Sequence, residues 1–123
     1  MGRLAKILVV DDEPSIRELI KEILTSQGHT VDLGVDGREA VQLTRKTAYH
    51  LLILDRNMPQ MTGIEALQLI RMDAKLKGMK VLMFTSASVI REVDEAFQAG
   101  ADDYLLKPVN IKSVVDKVQA ILK

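Results

Sequence analysis

The sequence contains no cysteine and no tryptophan, and only 3% of its residues are aromatic. The lack of cysteine excludes disulfide bonds, thiol catalysis and thiolate metal sites. So few aromatic side chains also argue against a base-stacking surface for single-stranded nucleic acid. Lysine and arginine number 17, as do aspartate and glutamate. The chain therefore has no overall positive charge that would hold nucleic acid or an anionic membrane.

Long hydrophobic runs are also missing. The longest apolar stretch is far shorter than the roughly 18 residues that span a bilayer, and the N-terminus has no signal-peptide core. The chain has 123 residues, of which 47% are hydrophobic and 28% charged, as in ordinary globular proteins. We expect one domain over residues 1–123, located in the cytoplasm.

Two spacings of hydrophobic residues alternate along the chain. Short apolar runs of strand length recur at 7–10, 30–33, 51–54, 81–84 and 104–106. Between them, hydrophobic residues recur every three or four positions, which is the spacing of one apolar helix face. This spacing is clearest from Ile16 to Leu24. A fourth helix with Val89 on its apolar face is expected to end at Gly100.

Helix starts are also visible. Pro14 stands where the first helical turn should begin, a position that tolerates its missing N–H group. Asp36 with Glu39, and Thr62 with Glu65, have the spacing of capping boxes.

Five strands alternating with five helices predict an α/β protein with a parallel sheet covered by helices on both faces. The first, third and fourth runs are almost wholly apolar, as in strands buried on both faces, whereas the second alternates and fits an edge strand. Because crossovers are right-handed, a doubly wound sheet of order 2-1-3-4-5 is the natural topology. Ligands bind such sheets beyond the carboxyl ends of the strands.

Polar residues are concentrated where four of these strands end. Asp11 and Asp12 follow the first strand, Asp55 the third, Thr85 the fourth and Lys107 the fifth. These four strands are neighbours in the predicted order, so we expect the five side chains to converge at one edge of the sheet.

Three carboxylates in one place repel each other. Two like charges about 4 Å apart repel by roughly 4 kcal/mol at an effective dielectric constant near 20, so either a carboxyl keeps a proton or a cation joins the group. Lys107 supplies only one positive charge. His29 and His50 are interpreted as surface loop residues, which leaves oxygen ligands and favours Mg²⁺.

A hydroxyl, an ammonium and a divalent ion around one carboxylate are the groups that stabilise a transferred phosphoryl group. In this interpretation Asp55 is the nucleophile and forms an aspartyl phosphate. Any one of the aspartates alone is better explained as the N-cap of the next helix, and so is Thr85. Only their combination favours a phosphoryl site.

Together these motifs resemble the receiver domain of two-component response regulators. They are Val-Val-Asp-Asp-Glu-Pro at 9–14, Leu-Asp-Arg-Asn-Met-Pro at 54–59 with Gly63, Thr-Ser at 85–86 and Lys-Pro at 107–108. The resemblance covers the whole chain. It implies a flavodoxin-like fold related to the chemotaxis receiver, and phosphorylation of Asp55 by a phosphohistidine on a sensor histidine kinase or a phosphotransfer protein.

The resemblance also implies roles for the site residues. Mg²⁺ would be held by Asp12, Asp55 and the backbone carbonyl of Asn57, with Asp11 acting through water. Lys107 would pair with the phosphoryl group, and its peptide bond to Pro108 would be cis.

Further implied roles concern the switch. Thr85 would swing inward to the phosphoryl group, and Tyr104 would move from an exposed to a buried position behind it. Gly63 would permit the close approach of the loop after the acceptor. The fourth helix, fifth strand and fifth helix would then bind a downstream effector or a second copy of the chain. Asn57 and Ala87 would set the lifetime of the phosphate.

Some positions depart from the family pattern. The acid common before the loop glycine is here Thr62, which reads as a helix cap. Tyr49 and His50 replace the usual Pro-Asp, and Arg56 is expected to be exposed. The resemblance implies a signalling module that catalyses only its own phosphorylation and dephosphorylation, not an enzyme. The balanced charge predicts no direct binding of nucleic acid or membrane.

Two other functions stay open at this point. A Mg²⁺-dependent phosphatase or phosphotransferase of the haloacid dehalogenase type would also use an aspartate nucleophile, but it usually carries Asp-x-Asp after the first strand, where this chain has Asp-Asp-Glu. A flavin carrier would need a phosphate-binding loop there, which three acids would oppose.

Overall fold

The computed structural model describes residues 4–86 and 90–123. In these residues five strands form one sheet: β1 (Lys6–Val10), β2 (Thr30–Gly34), β3 (Leu51–Asp55), β4 (Lys80–Thr85) and β5 (Asp103–Leu106). The helices are α1 (Pro14–Ser26), α2 (Gly37–Lys46), α3 (Gly63–Arg71), α4 (Ile90–Gln98) and α5 (Ile111–Ile121), with a 3₁₀ turn at Ala74–Leu76. All strand pairs are parallel, and the order β2-β1-β3-β4-β5 confirms the predicted topology.

The sheet separates two hydrophobic cores. Alternate residues of each central strand point to opposite faces, so Ile7 and Val9 pack against α1 and α5, while Leu8 and Val10 pack against α2 and α3. β1, β3 and β4 are buried on both faces, which explains why their sequences are almost continuously apolar. In the described part of the chain, no helix is long and apolar enough to cross a membrane.

The predicted helix starts are largely confirmed. Pro14 occupies the first turn of α1, and Thr62 and Glu65 form a complete capping box at α3. At α2, Asp36 accepts from the backbone N–H of Glu39, but the Glu39 carboxylate accepts from the backbone of Val35, one residue before the cap. Val89 and Ala87, which the sequence assigned to the fourth helix and to phosphate lifetime, lie outside the described residues.

The prediction that His29 lies at the surface is wrong. His29 is buried, not a surface residue, and its Nδ1 accepts a hydrogen bond of 3.0 Å from the backbone N–H of Ala5. His50 is exposed as expected, and its Nδ1 accepts from the backbone of Lys6 at 3.0 Å. Both rings therefore cap N–H groups at the amino end of β1, where the ladder leaves them without a backbone acceptor.

Arg71 joins the loops at the amino end of β4. Its guanidinium donates to the carbonyls of Gly100, Leu76 and Met79 at 2.9, 3.1 and 2.9 Å, and to the carboxylate of Asp102 at 3.1 Å. Gly100 has φ near +111°, and a Cβ there would lie 2.7 Å from Arg71 Cγ. The glycine that ends the α4 region is thus required both by its backbone conformation and by the arginine packed on it.

Candidate functional site

The carboxyl ends of β1, β3, β4 and β5 bring the predicted polar residues together. Val10 of β1 pairs with Leu54 of β3, which places Asp11 beside Asp55. Thr85 pairs with Leu106, the residue before Lys107. The parallel register therefore brings Asp11 close to Asp55, 44 positions away, and Thr85 close to Lys107, 22 positions away.

Three aspartates form the centre of the site. Asp11, Asp12 and Asp55 each offer a carboxylate oxygen within 4.8 Å of the others. Asp11 and Asp55 are each only 1% exposed, whereas Asp12 faces solvent. The predicted convergence of the three carboxylates is confirmed.

The two buried carboxylates are only partly satisfied. Asp11 Oδ1 accepts from the backbone N–H of Glu13 at 2.9 Å, and Asp55 Oδ1 accepts from that of Asn57 at 3.2 Å. Lys107 Nζ lies 3.3 Å from Asp55 Oδ1 and 3.4 Å from Asp11 Oδ2. Among residues 4–86 and 90–123, the Oδ2 atoms of both aspartates are buried without a hydrogen-bond partner, so the longer contact is an ion pair without hydrogen-bond geometry.

The charge balance of the site follows from this arrangement. Burial, and after it the charge of Asp11, raises the pKa of Asp55 to about 6, although Lys107 opposes the shift. Burial also raises the pKa of Asp11. Burial alone would lower the pKa of Lys107, but the charges of Asp55 and Asp11 outweigh it and raise that pKa. Near neutral pH, Asp55 is mostly ionised, and the single ammonium of Lys107 does not balance the combined negative charge of the aspartates.

These residues fit a magnesium ion. In the described part of the chain, two buried carboxylate oxygens lack a hydrogen-bond partner, a third carboxylate stands at the solvent side, and all three groups offer the hard oxygen ligands that Mg²⁺ prefers. A divalent cation would balance the excess negative charge and be coordinated by the oxygens that lack a hydrogen-bond partner.

Thr85 and Lys107 are neighbours at the ends of β4 and β5. Thr85 is 1% exposed, and its carbonyl accepts from the backbone N–H of Lys107 at 2.8 Å. The Lys107 ammonium also lies 5.3 Å from the centre of the Phe84 ring. The Lys107–Pro108 peptide bond is cis, as the resemblance implied.

The close approach of α3 to the loop after Asp55 requires Gly63. A Cβ at this position would lie 2.1 Å from the Asp55 carbonyl oxygen and 2.8 Å from the Arg56 Cα. The Gly63 N–H donates to the Arg56 carbonyl at 2.9 Å. Any side chain here would push the loop away from the helix.

Tyr104 is half-buried on the edge strand β5, three residues before Lys107. Its ring meets Phe97 of α4 edge-on at 6.0 Å between ring centres. Lys117 of α5 places its ammonium 5.1 Å from the centre of the same ring and donates a hydrogen bond to Asp103 at 3.0 Å. Tyr104 therefore touches both helices of the face that the sequence assigned to partner binding.

Arg56 was expected to be exposed, and this expectation is wrong. Its side chain is only 16% exposed, and its Nη2 lies 2.6 Å from Oε2 of Glu95 in α4. The pair is 39 residues apart, so no local sequence pattern could have indicated it. The ion pair links the loop after Asp55 directly to α4.

Comparison with known proteins identifies one family for most of the chain. The family model for the response regulator receiver domain matches residues 7–119. The chain is 36% identical to the chemotaxis protein CheY of Pseudomonas aeruginosa over 119 residues, which are 96% of this chain and 96% of that protein. It also matches curated transcriptional regulators, but it spans only about half of their length.

Solved structures give the same result. The chemotaxis response regulator CheY4 of Vibrio cholerae superposes with a TM-score of 0.93 at 35% identity, covering 98% of this chain and all of that one. The receiver domain of a sensor histidine kinase from Pseudomonas aeruginosa superposes with a TM-score of 0.88 at 27% identity, covering 98% of each chain. That crystal structure has a magnesium ion coordinated in its active site cleft.

Proposed function

This chain belongs to the response regulator receiver domain family, and from that membership we propose that it is a phosphorylation-controlled binding module whose acceptor is Asp55. The donor is a phosphohistidine on a sensor histidine kinase or a phosphotransfer protein. The observation that carries the proposal is the position of Asp55. It is buried, mostly ionised near neutral pH, and 3.3 Å from the Lys107 ammonium at the carboxyl edge of the sheet.

The proposed reaction moves one phosphoryl group. A carboxylate oxygen of Asp55 attacks phosphorus, the P–N bond of the phosphohistidine breaks, and its electron pair returns to the imidazole, which takes up a proton from water. Hydrolysis reverses the modification when water attacks phosphorus and the Asp55 oxygen leaves. Lys107 stabilises the negative charge on the transferring oxygens.

Asp12, Asp55 and the backbone carbonyl of Asn57 would hold Mg²⁺, with Asp11 acting through water. When bound, the ion neutralises charge on the phosphoryl oxygens and aligns them with the acceptor. Asp11 contributes in a second way, because its negative charge helps to raise the pKa of Asp55 and keeps the acceptor a reactive base.

The switch would run from Thr85 to the face formed by α4, β5 and α5. An aspartyl phosphate adds nearly two negative charges and three strong acceptors beside Thr85 and Lys107. Tyr104 contacts both Phe97 of α4 and Lys117 of α5, so a change in its position would alter both helices of this face. A downstream effector or a second copy of the chain would bind there.

Intact mass spectrometry tests the proposal directly. The protein is incubated with Mg²⁺ and acetyl phosphate, alone, with EDTA, and as Asp55→Asn. One phosphoryl adduct on the wild type that is lost with EDTA and in the variant is the expected result. No adduct under any condition, and no response to beryllofluoride, would overturn it. Steady turnover of small phosphate esters would instead favour an enzyme.

A further inference from the structure

Arg56 is held between three elements next to the proposed acceptor. Its backbone N–H donates to the carbonyl of Phe84 in β4 at 2.9 Å, and its own carbonyl accepts from Gly63 of α3 at 2.9 Å. Its side chain reaches α4 and pairs with Glu95 at 2.6 Å, where the Glu95 side chain is 45% exposed. Arg56 thus joins the acceptor loop to β4, α3 and α4.

The guanidinium is not fully satisfied in this arrangement. Its Nε atom is buried and has no hydrogen-bond partner among the residues that the structure describes. Buried donors are nearly always paired, because water cannot reach them to replace a missing acceptor. An unpaired Nε–H next to Glu95 therefore leaves the arginine with capacity for another anionic acceptor.

A phosphoryl group on Asp55 would bring such an acceptor. It adds nearly two negative charges at the residue before Arg56, whereas the Lys107 ammonium is already shared between Asp55 and Asp11. The planar fork of an arginine matches the oxygens of a phosphoryl group better than an ammonium does. Glu95 and the phosphoryl group would then compete for one guanidinium.

Resting on the proposed function above, we propose that Arg56 is a further phosphoryl-binding residue, which Glu95 restrains in the unphosphorylated protein. When Asp55 is phosphorylated, Arg56 exchanges the Glu95 carboxylate for phosphoryl oxygens and loosens the link between the acceptor loop and α4. The exchange is a second route from the site to α4, independent of Thr85.

Because Glu95 and the phosphoryl group compete for Arg56, the loss of Glu95 and the loss of Arg56 should change phosphorylation in opposite directions. The ion pair stabilises only the unphosphorylated state, so its loss through Glu95 favours phosphorylation, whereas the loss of the Arg56 charge disfavours it. A pair that is merely structural would give changes of the same sign from either side, or no change. The sign of the effect therefore separates the two roles.

The experiment measures the rate of adduct formation with acetyl phosphate and the apparent affinity for beryllofluoride, both with Mg²⁺. We expect Glu95→Gln to raise both by about two- to fivefold and Arg56→Gln to lower both by a similar factor. Arg56→Gln combined with Glu95→Gln should behave like Arg56→Gln alone, and Arg56→Lys should recover part of the loss. Glu18→Gln and Lys75→Gln, which neutralise exposed charges elsewhere, are the matched controls.

Changes of the same sign in Glu95→Gln and Arg56→Gln, or unchanged values in both, would overturn the role of Arg56 while an adduct on the wild type left the proposed function intact. Because Glu95 is an exposed side chain, Glu95→Gln keeps the test decisive even where an Arg56 variant unfolds. A wild type that takes up neither phosphoryl group nor beryllofluoride would instead refute the proposed function itself.

Discussion

Lys107 and Asp55 face each other at the carboxyl edge of the sheet, with 3.3 Å between Nζ and Oδ1. The same ammonium lies 3.4 Å from Asp11, so one positive charge is shared by two buried carboxylates. In the folded protein, negative charge is therefore concentrated at this site, whereas in the unfolded chain the same groups are far apart. This repulsion should lower the free energy of unfolding, which can be measured.

Replacing Asp55 by asparagine is expected to stabilise the fold at neutral pH without divalent cations. Burial and the charge of Asp11 raise the pKa of Asp55 to about 6 from 3.8. The folded state then binds protons more tightly than the unfolded state, so the wild type loses stability as the pH rises through this window. We expect Asp55→Asn to raise the free energy of unfolding at neutral pH by about 1–2 kcal/mol, allowing for solvent in the open cleft.

Urea titrations at about pH 4 and pH 7 measure this gain. An equal gain at both pH values would contradict the electrostatic explanation. Asp12→Asn is the control, because the Asp12 side chain faces solvent and its loss should change stability little.

Magnesium ions are expected to raise the unfolding temperature, and less so in acid. Metal binding requires ionised carboxylates, and protons compete for Asp55, whose pKa is raised to about 6 by burial and by Asp11. Below that pH the apparent affinity for Mg²⁺ should fall by up to about tenfold per pH unit. Thermal unfolding over a range of MgCl₂ concentrations, on both sides of this pH, gives the affinity. A stabilisation that is independent of pH would refute the assigned ligands.

Thr85→Ala is expected to uncouple phosphorylation from the α4–β5–α5 face. Thr85 is buried at the end of β4, beside Lys107 of the neighbouring strand end, and its hydroxyl is the group proposed to follow the phosphoryl oxygens. Amide hydrogen exchange with and without beryllofluoride should show a much smaller change around Tyr104 in Thr85→Ala than in the wild type. Thr85→Ser retains the hydroxyl and should keep most of the change. A full response in Thr85→Ala would mean that coupling uses another route, such as Arg56.

Arg71→Met is expected to destabilise the protein by about 2–4 kcal/mol. The guanidinium donates to three loop carbonyls and to Asp102, and its removal takes one donor from each of these acceptors. Arg71→Lys should recover little, since an ammonium cannot reach all four acceptors. Lys75→Met, at an exposed position of the following turn, is the control. Urea unfolding of the three variants measures the differences, and a loss similar to that of Lys75→Met would show that the network is dispensable.

His29 is expected to make the fold sensitive to acid. Burial lowers the pKa of His29 below its usual value of 6.5, and its Nδ1 must be unprotonated to accept from Ala5. As the pH falls below the unfolded-state pKa, the unfolded chain binds the proton first, so stability decreases between the two pKa values. In an Asp55→Asn background, where the opposite trend of Asp55 is removed, His29→Gln should flatten the profile in this window. His50→Gln, at the exposed counterpart, is the control, and an equal flattening there would rule out burial as the cause.

Much of the fold could be predicted because its signals are local. Strand runs such as 7–10 and 51–54 are continuously apolar, and the first helix shows both its first-turn proline, Pro14, and its apolar spacing within a few residues. Strand ends were predicted to within about one residue. Parallel topology then placed Asp55 and Lys107 at the same edge without any side-chain information.

The residues that the sequence misjudged depend on contacts between distant segments. Arg56 was expected to be exposed, yet it reaches Glu95, 39 positions further along the chain. His29 was expected in a surface loop, yet it caps the backbone at Ala5 across the edge of the sheet. Neither position differs in its local pattern from an ordinary exposed one.

The sequence by itself therefore determined the order of strands and helices and the chemical groups at the carboxyl edge, because hydrophobic periodicity and strand-end residues are properties of short segments. Only the tertiary structure decided how those groups are charged and what they touch. The pKa of Asp55, raised to about 6, reflects burial and the nearby Asp11, and the link from Arg56 to α4 reflects the packing of a helix on the sheet. Burial and electrostatic interaction depend on distances in space, which the linear spacing of residues does not contain.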